Sequence, residues 1–309
     1  MSAIFATFMA LLKSGDHLLS SQAIFGSTHT LLSKYLPKWG IECSYFDPAH
    51  PEALESLVKP GTRMMFIETP SNPGLDILDM QKLSDFTKSR GILLCVDNCF
   101  ATPVLQQPLK WGADLVIHSA TKWIDGQGRV LGGAVLGNKT LIHEIYLFCR
   151  STGPSMSPFN AWVLSKSLET LHVRMERHSE NAERIARALE GHPQLNWVRY
   201  PFLESHPQYC LAKKQMRMGG GIVCFELRGG LQQGKRFLDS LKMLSLTANL
   251  GDTKSIATHP ASTTHAKLSE KDRLEAGITP GFIRISVGLE HWEDILADIQ
   301  QALKVSSTH

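Results

Sequence analysis

From residue 14 to about residue 137, short apolar and β-branched runs alternate with stretches of helical period. The runs are Arg63-Met-Met-Phe-Ile67, Ile92-Leu-Leu-Cys-Val96, Leu115-Val-Ile117 and Ala134-Val-Leu136, each nearly continuous rather than alternating. A strand that is apolar on both sides must be buried on both faces, so the pattern predicts a mostly parallel sheet with helices covering each side. Amphipathic stretches lie between the runs. One spans residues 80–89 and meets Arg90-Gly91, where a glycine free to take positive φ stops a helix.

The longest helical pattern covers residues 158–190, with Trp162, Leu164, Leu168, Leu171 and Met175 as its apolar stripe, and it stops at Gly191-His-Pro193. It predicts a bridging helix that closes an α/β domain over residues 1–190. Beyond it, residues 197–200, 221–227 and 282–287 read as strands and residues 232–241 and 292–305 as helices. These make a smaller C-terminal α+β domain over residues 191–309. No internal repeat or low-complexity linker interrupts the chain.

The length of 309 residues fits two such domains at about 150 residues each. With 43% hydrophobic and 20% charged residues the chain can fill a core, which excludes disorder. Thirty-two Lys and Arg against 29 Asp and Glu leave a net charge of +3, and the densest basic cluster is Lys213, Lys214 and Arg217. No basic stripe exists to track nucleic acid. The apolar run over residues 1–12 has no basic residue ahead of it, meets no export cleavage pattern and is too short to span a bilayer, so neither export nor a membrane anchor is expected. Six cysteines without a CxxC pair predict a reduced, cytoplasmic protein. In that setting Asn138-Lys-Thr140 is a chance glycosylation match.

In open parallel sheets, ligands collect at the carboxyl ends of strands. Three expected strand ends carry polar residues: Glu68-Thr-Pro-Ser-Asn-Pro73, Asp97-Asn98 and His118-Ser-Ala-Thr-Lys122. A lone lysine after a strand is usually a solvated surface residue, but Lys122 has Ser119 and Thr121 beside it. Together they supply hydroxyl donors for a phosphate ester and an amine for a carbonyl. Asp97 adds a carboxylate at the preceding strand end. This is the set that pyridoxal phosphate needs: a carboxylate keeps the pyridine nitrogen protonated and an amine takes the aldehyde. An ordinary lysine is neutral only about one part in 2500 at pH 7, so a working one needs partial burial or a cationic neighbour.

Other candidates carry less. His118, His259 and His265 form neither HExxH nor a closely spaced set, so no metal site is expected. Gly126, Gly128, Gly132 and Gly133 match neither a dinucleotide fingerprint nor a Walker loop and read as a turn entering the strand at Ala134. Cys95 and Cys99 read as small buried hydrophobes.

Glu68-Thr-Pro-Ser-Asn-Pro73, Val96-Asp-Asn-Cys-Phe-Ala-Thr-Pro103, His118-Ser-Ala-Thr-Lys122 and Ile283-Arg-Ile-Ser-Val-Gly-Leu-Glu290, in order over essentially the whole chain, resemble the Cys/Met-metabolism family of pyridoxal-phosphate enzymes. That family includes cystathionine synthases, cystathionine lyases and homoserine-ester sulfhydrylases. The resemblance implies a fold-type-I pyridoxal-phosphate transferase-like architecture. It makes Lys122 the Schiff-base lysine, Asp97 the pyridinium partner, Ser119 and Thr121 phosphate ligands, and Asn72 a neighbour of the ring's phenolic oxygen. It makes Arg284 the clamp on the substrate α-carboxylate and Ser255 a contact beside it. Phe25 stands where most relatives stack a tyrosine on the ring, which removes a hydroxyl proton shuttle and weighs against the lyases. Cys99 replaces the threonine usual two places after the aspartate. Standing alone, Phe25 would read as core and Arg284 as a strand-face residue.

Within the family, Ile24-Phe-Gly-Ser-Thr28, Asp125-Gly-Gln-Gly128 and residues 153–162 and 248–265 most resemble the O-succinylhomoserine sulfhydrylases. The implied activity is γ-replacement on O-succinylhomoserine with sulfide, giving homocysteine. Cystathionine γ-synthase, cystathionine γ-lyase and a catalytically impaired remnant are the alternatives. The implied partners are small-molecule substrates and, as in the family, further copies in a homodimer or homotetramer. Met1-Ser-Ala-Ile4 resembles the middle of the family's phosphate-holding serine-glycine-methionine turn, which leaves Met1 as its remaining phosphate donor. The family's partner-reaching tyrosine and arginine match nothing in the chain. The resemblance therefore implies that the 309-residue polypeptide alone binds the cofactor poorly and turns over little.

Overall fold

The computed structural model describes residues 1–47, 50, 53–263, 270–275 and 277–307, so His265 lies outside the described residues. The chain forms two compact units. The first comprises residues 1–72, 76–121 and 130–165, and the second residues 73–75, 122–129 and 166–309. Residues 166–190, expected with the first domain, and the short segment that begins at Lys122 have their neighbours in the second unit.

In the first unit, strands β1 (His17–Ser21), β2 (Glu42–Phe46), β3 (Thr62–Glu68), β4 (Leu93–Asp97), β5 (Leu115–Ser119) and β6 (Gly133–Gly137) form one sheet. Its order is β2-β1-β3-β4-β5-β6, parallel throughout except for the antiparallel pair β5 and β6. The mixed α/β architecture with a mostly parallel sheet is the one expected. Its two cores explain the continuous apolar runs. Leu18, Met64, Phe66, Cys95, Leu115 and Ile117 face one side, and Leu19, Met65, Ile67, Leu94, Val96 and Val116 face the other. Successive side chains alternate faces, and both faces are covered. The apolar run at residues 1–12 is the helix Ser2–Leu11, which buries Ile4, Ala6 and Phe8 in the first of these cores.

No apolar run announces β1 or β2. β1 is buried at all five positions although three are polar. The His17 ring pairs with Thr62 Oγ1 on β3 at 2.8 Å and with Ser44 Oγ on β2 at 2.9 Å. Polar pairing across strands thus takes the place of apolar packing. The helix Met80–Lys88 follows its prediction closely, with the Asp79 side chain accepting from the Lys82 N–H at its start.

In the second unit, β7 (Leu195–Arg199), β8 (Ile222–Leu227), β9 (Ser245–Leu246), β10 (Ile256–Thr258) and β11 (Phe282–Ser286) form a sheet in the order β7-β8-β11-β10-β9. Only β9 and β10 pair in parallel. The helices Leu171–Leu189, Gly230–Ser240 and Trp292–Ser306 complete it. The long pattern over residues 158–190 is two helices, Pro158–Leu168 and Leu171–Leu189. Leu171 and Met175 are buried, whereas Trp162 and Leu168 are exposed, so one stripe does not serve both. Among the described residues, no helix is long and apolar enough to cross a membrane.

Candidate active site

The carboxyl ends of β3, β4 and β5 carry the polar residues of the first unit. Glu68 and Asp97 stand opposite each other in the β3–β4 register, and Ser119 ends β5. Asp97 is 8% exposed and its Oδ1 accepts from the Cys99 N–H at 3.0 Å. Burial pushes its carboxyl up to about 6, against the smaller opposing pull of that N–H. The turn behind it is rigid. Asn98 Nδ2 donates to the carbonyls of Thr102 and Gln106, and Gln106 Nε2 to Asn98 Oδ1 and the Thr69 carbonyl.

Glu68 opens the motif at the carboxyl end of β3, and its role is local. Its buried carboxylate accepts from the Phe25 N–H at 2.8 Å and so fixes the start of the helix Gly26–Thr30. The Phe25 ring is 45% exposed, which sets aside a core role and leaves an aromatic face presented at this end of the unit. Asn72 is half-buried in the segment that follows β3.

Ser119 pairs with Gly133 across β5 and β6. A Cβ on Gly133 would stand 2.9 Å from the Ala3 Cβ, so the missing side chain lets the first turn of helix Ser2–Leu11 approach Ser119. Met1 precedes that helix and no side chain caps it. Its first amides and the positive end of its dipole favour an anion. Thr121 Oγ1 donates to the Gly132 carbonyl at 3.3 Å and accepts from the Gly132 N–H at 3.1 Å. Among the described residues, the Ser119 hydroxyl has no hydrogen-bond partner.

These residues fit pyridoxal phosphate in three ways. A buried carboxylate with a raised affinity for protons suits a protonated ring nitrogen. An exposed phenyl face suits an aromatic ring, and a helix start beside a hydroxyl suits a phosphate.

The second unit holds Lys122, Arg284 and Ser255. Lys122 is half-buried, and its Nζ donates to Asn249 Oδ1. Arg284, at the centre of β11 and 5% exposed, donates from Nη2 to the carbonyls of Ala248 at 3.1 Å and Asn249 at 3.2 Å. Asn249 therefore meets both residues. Ser255 is engaged by the protein itself: its N–H and hydroxyl donate to the two Glu290 carboxylate oxygens, and its Oγ accepts from the Gly288 N–H.

The turn that follows Lys122 is clamped. Arg174, buried on the helix Leu171–Leu189, donates to the carbonyls of Trp123 at 2.6 Å, Ile124 at 3.1 Å and Ser167 at 2.9 Å. Asp125 holds Arg129 across a 3.0 Å contact. A side chain at Gly126 would strike the Arg174 guanidinium. Neither Asn249 nor Arg174 was singled out by the sequence. Asn249 lies within the family-like stretch of residues 248–265 without a signal of its own, and an arginine in an amphipathic helix looks like any solvated one.

His118 and His259 serve the fold. Burial pushes His118 down to about 4, so it is neutral at pH 7. His259 pairs with Ser262 Oγ and the Pro280 carbonyl, each at 2.8 Å. Among the described residues, no group of three His, Cys, Asp or Glu side chains is placed to hold a metal ion.

A family model described as Cys/Met metabolism PLP-dependent enzyme matches residues 1–304. The chain is 48% identical over 303 residues to an O-succinylhomoserine sulfhydrylase of Pseudomonas aeruginosa, covering 98% of this chain and 75% of that protein. It is 44% identical over 308 residues to an O-succinylhomoserine sulfhydrylase of Mycobacterium tuberculosis, with 98% and 76% covered. It is 42% identical over 307 residues to an L-methionine gamma-lyase of Fusobacterium nucleatum subsp. polymorphum, with 98% and 78% covered. Similar identity to relatives with two activities establishes the family and leaves the substrate open.

Proposed function

The chain belongs to the Cys/Met-metabolism family of pyridoxal-phosphate-dependent enzymes, and we propose that it replaces the γ-substituent of O-succinylhomoserine with sulfide, yielding homocysteine and succinate. One observation carries the reading of an enzyme acting on an α-amino acid. A lysine amine and a buried arginine meet through a single residue, Asn249, in one compact unit. The choice of reaction is supported by the phenylalanine at position 25, which brings no hydroxyl to the ring face, and by the 48% identity to an O-succinylhomoserine sulfhydrylase.

When bound, the cofactor supplies the electron sink that makes breaking a substrate C–H bond affordable. Ser119, Thr121 and the start of helix Ser2–Leu11 with Met1 hold its phosphate. Phe25 covers its ring, Asn72 serves the phenolic oxygen, and Asp97 keeps the ring nitrogen protonated. Lys122, next in the chain to Thr121, takes its aldehyde. Arg284 grips the substrate α-carboxylate with a planar fork and so fixes which Cα bond is aligned for cleavage. Ser255, bonded to Glu290, is the contact beside it.

With a substrate amine in its place, the Lys122 amine would carry a proton away from Cα and serve Cβ in turn. The Cγ–O bond breaks with succinate as leaving group, and hydrosulfide forms the Cγ–S bond. The reduced, cytoplasmic setting is supported by cysteines that are all free. Self-association is supported by Leu131, Phe159 and Trp162, exposed apolar residues near one another on the first unit, where Asn160 Nδ2 donates to the Leu131 carbonyl.

The test is product analysis with cofactor, O-succinylhomoserine and sulfide. Homocysteine and succinate in equal amounts support the reading. Turnover of cystathionine or methionine without succinate release from the ester would replace it with the lyase reading, and cystathionine formed from cysteine in preference to homocysteine would replace it with the synthase.

A further inference from the structure

We propose that Arg174, His178 and Asn181 are positioning residues: from one face of the helix Leu171–Leu189 they set the distance between the Lys122 amine and the Arg284 guanidinium, and so the distance from that amine to the Cα–H of a gripped substrate. The proposal rests on the roles of Lys122 and Arg284 given above and adds what holds the two in register. The three residues stand four and three positions apart, which places them one above the other on the helix, and all are buried. A helix normally fills such a face with hydrocarbon. These side chains instead donate to backbone carbonyls.

Arg174 holds the carbonyls of Trp123 and Ile124, the two residues after Lys122. Asn181 Nδ2 donates to the carbonyls of Gly288 at 3.0 Å and Glu290 at 2.8 Å, in the segment that leaves β11, the strand of Arg284. His178, between them, meets both sides. Its Nδ1 donates to the Val287 carbonyl at 2.7 Å, and its ring packs edge-on against Trp123 with centroids 4.7 Å apart. Burial pushes His178 down to about 4, so at pH 7 it is neutral and holds that carbonyl with an N–H.

The two held segments are also joined away from the helix. The Thr253 N–H donates to the Gly126 carbonyl and the Leu289 N–H to the Thr253 carbonyl, each at 2.8 Å. Helix, lysine turn, Thr253 and the segment after β11 thus close a ring, in which no member shifts alone. A hydrocarbon face would bury the helix with less desolvation. Donors aimed at particular carbonyls add a fixed placement of the main chain, and placement matters for one step. Attaching the cofactor needs Lys122, and gripping the carboxylate needs Arg284. Moving the Cα proton to Lys122 Nζ needs both at a set distance, because Cα is one bond from the gripped carboxylate.

The test follows exchange of the Cα proton of L-norvaline with D2O by NMR, in the full chain loaded with cofactor. Norvaline has the amine and carboxylate and no γ leaving group, so the readout stands whichever γ-reaction the chain performs. The Cα–H bond breaks with its proton passing to Lys122 Nζ and its electron pair into the bound cofactor, and a deuteron from solvent returns. Asn181→Ala and Arg174→Lys, which keeps the charge and loses the fork, should each slow exchange about a hundredfold, the scale of a misplacement of about 1 Å. Cofactor attachment by absorbance and the half-saturating norvaline concentration should stay near wild type. His178→Ala should lose rate as well, and His178→Asn, with an N–H where Nδ1 stands, should keep most of it. In cofactor-free protein, hydrogen exchange should quicken at the Thr253 amide in Asn181→Ala and at the Leu289 amide in Arg174→Lys, each on the far side of the ring. Arg174→Lys carries the test if Asn181→Ala does not fold. In Arg284→Ala, which cannot grip, Asn181→Ala should cost no further rate. Wild-type exchange in Asn181→Ala and Arg174→Lys, or an equal loss in the Arg284→Ala background, would overturn the positioning role and leave Lys122 and Arg284 as they stand. No exchange by the wild-type protein would remove the reading of the site and the positioning with it.

Discussion

The polar ends of the first unit and the polar centre of the second treat their functional groups in opposite ways. Asp97 is buried with a raised proton affinity, Phe25 shows an uncovered ring, and the helix start near Ser119 has no side-chain cap. These groups stand ready for a ligand. In the second unit, Lys122 is held by Asn249, Arg284 by two carbonyls, and Ser255 by Glu290 and Gly288. These groups are already engaged, and a ligand must exchange its own bonds for theirs. The difference teaches that the first unit's groups are left open in advance, at a cost to the protein's stability, whereas the main groups of the second unit, the lysine included, are bonded within the protein until a ligand arrives.

Four substitutions break or sharpen this contrast. The largest effect belongs to Lys122→Ala, which should abolish both the cofactor's absorbance change on attachment and all turnover, measured on the same sample. Next comes Asp97→Asn, which should keep attachment and lower kcat by about 10²–10³, the scale of losing one preorganised electrostatic partner. The same change should stabilise the cofactor-free protein. Between the ordinary carboxyl pKa of 3.8 and the folded value of about 6, the folded protein binds more protons than the unfolded chain, so stability falls as pH rises through that window. Above it the full cost is about 3 kcal/mol. Thermal melts should therefore show Asp97→Asn melting higher than wild type at pH 7–8 and level with it near pH 4. A wild-type protein equally stable from pH 4 to pH 7 relative to the variant would remove the cost from Asp97.

Arg284→Ala should raise KM and lower kcat/KM by about a hundredfold through loss of a charge-assisted fork, with attachment to Lys122 still formed. Loss of the attached cofactor in that variant would move Arg284 to the cofactor side of the comparison. The smallest effect is that of Ser119→Ala, which should weaken cofactor affinity about tenfold in a titration, the worth of one hydrogen bond to a charged phosphate.

How much of this was legible follows from what each residue does. Strands β3 to β5 and the helices at residues 80–88 and 292–306 showed in the apolar pattern because both sheet faces or one helix face are filled with hydrocarbon, whereas the run Ala134-Val-Leu136 belongs to the edge strand β6, which is only half-buried and leaves Leu136 exposed. β1 escaped because His17 pairs with Thr62 and Ser44, so its buried positions are polar. β9 and β10, of two and three residues, are too short for any period to appear. Lys122 and Asp97 were legible as chemistry because their neighbours form a recognisable set in one dimension. Asn249 and Arg174 were not, since their meaning lies in which atoms they meet across 50 or more residues of chain, not in their own type.

The central claim, that Lys122 is the residue through which this chain holds and works its cofactor, is tested most directly by reducing the cofactor-loaded protein with borohydride and locating the added mass by peptide sequencing. The added mass should fall on Lys122 alone and vanish in Lys122→Ala. Attachment to another lysine, or none in protein that turns over substrate, would contradict it.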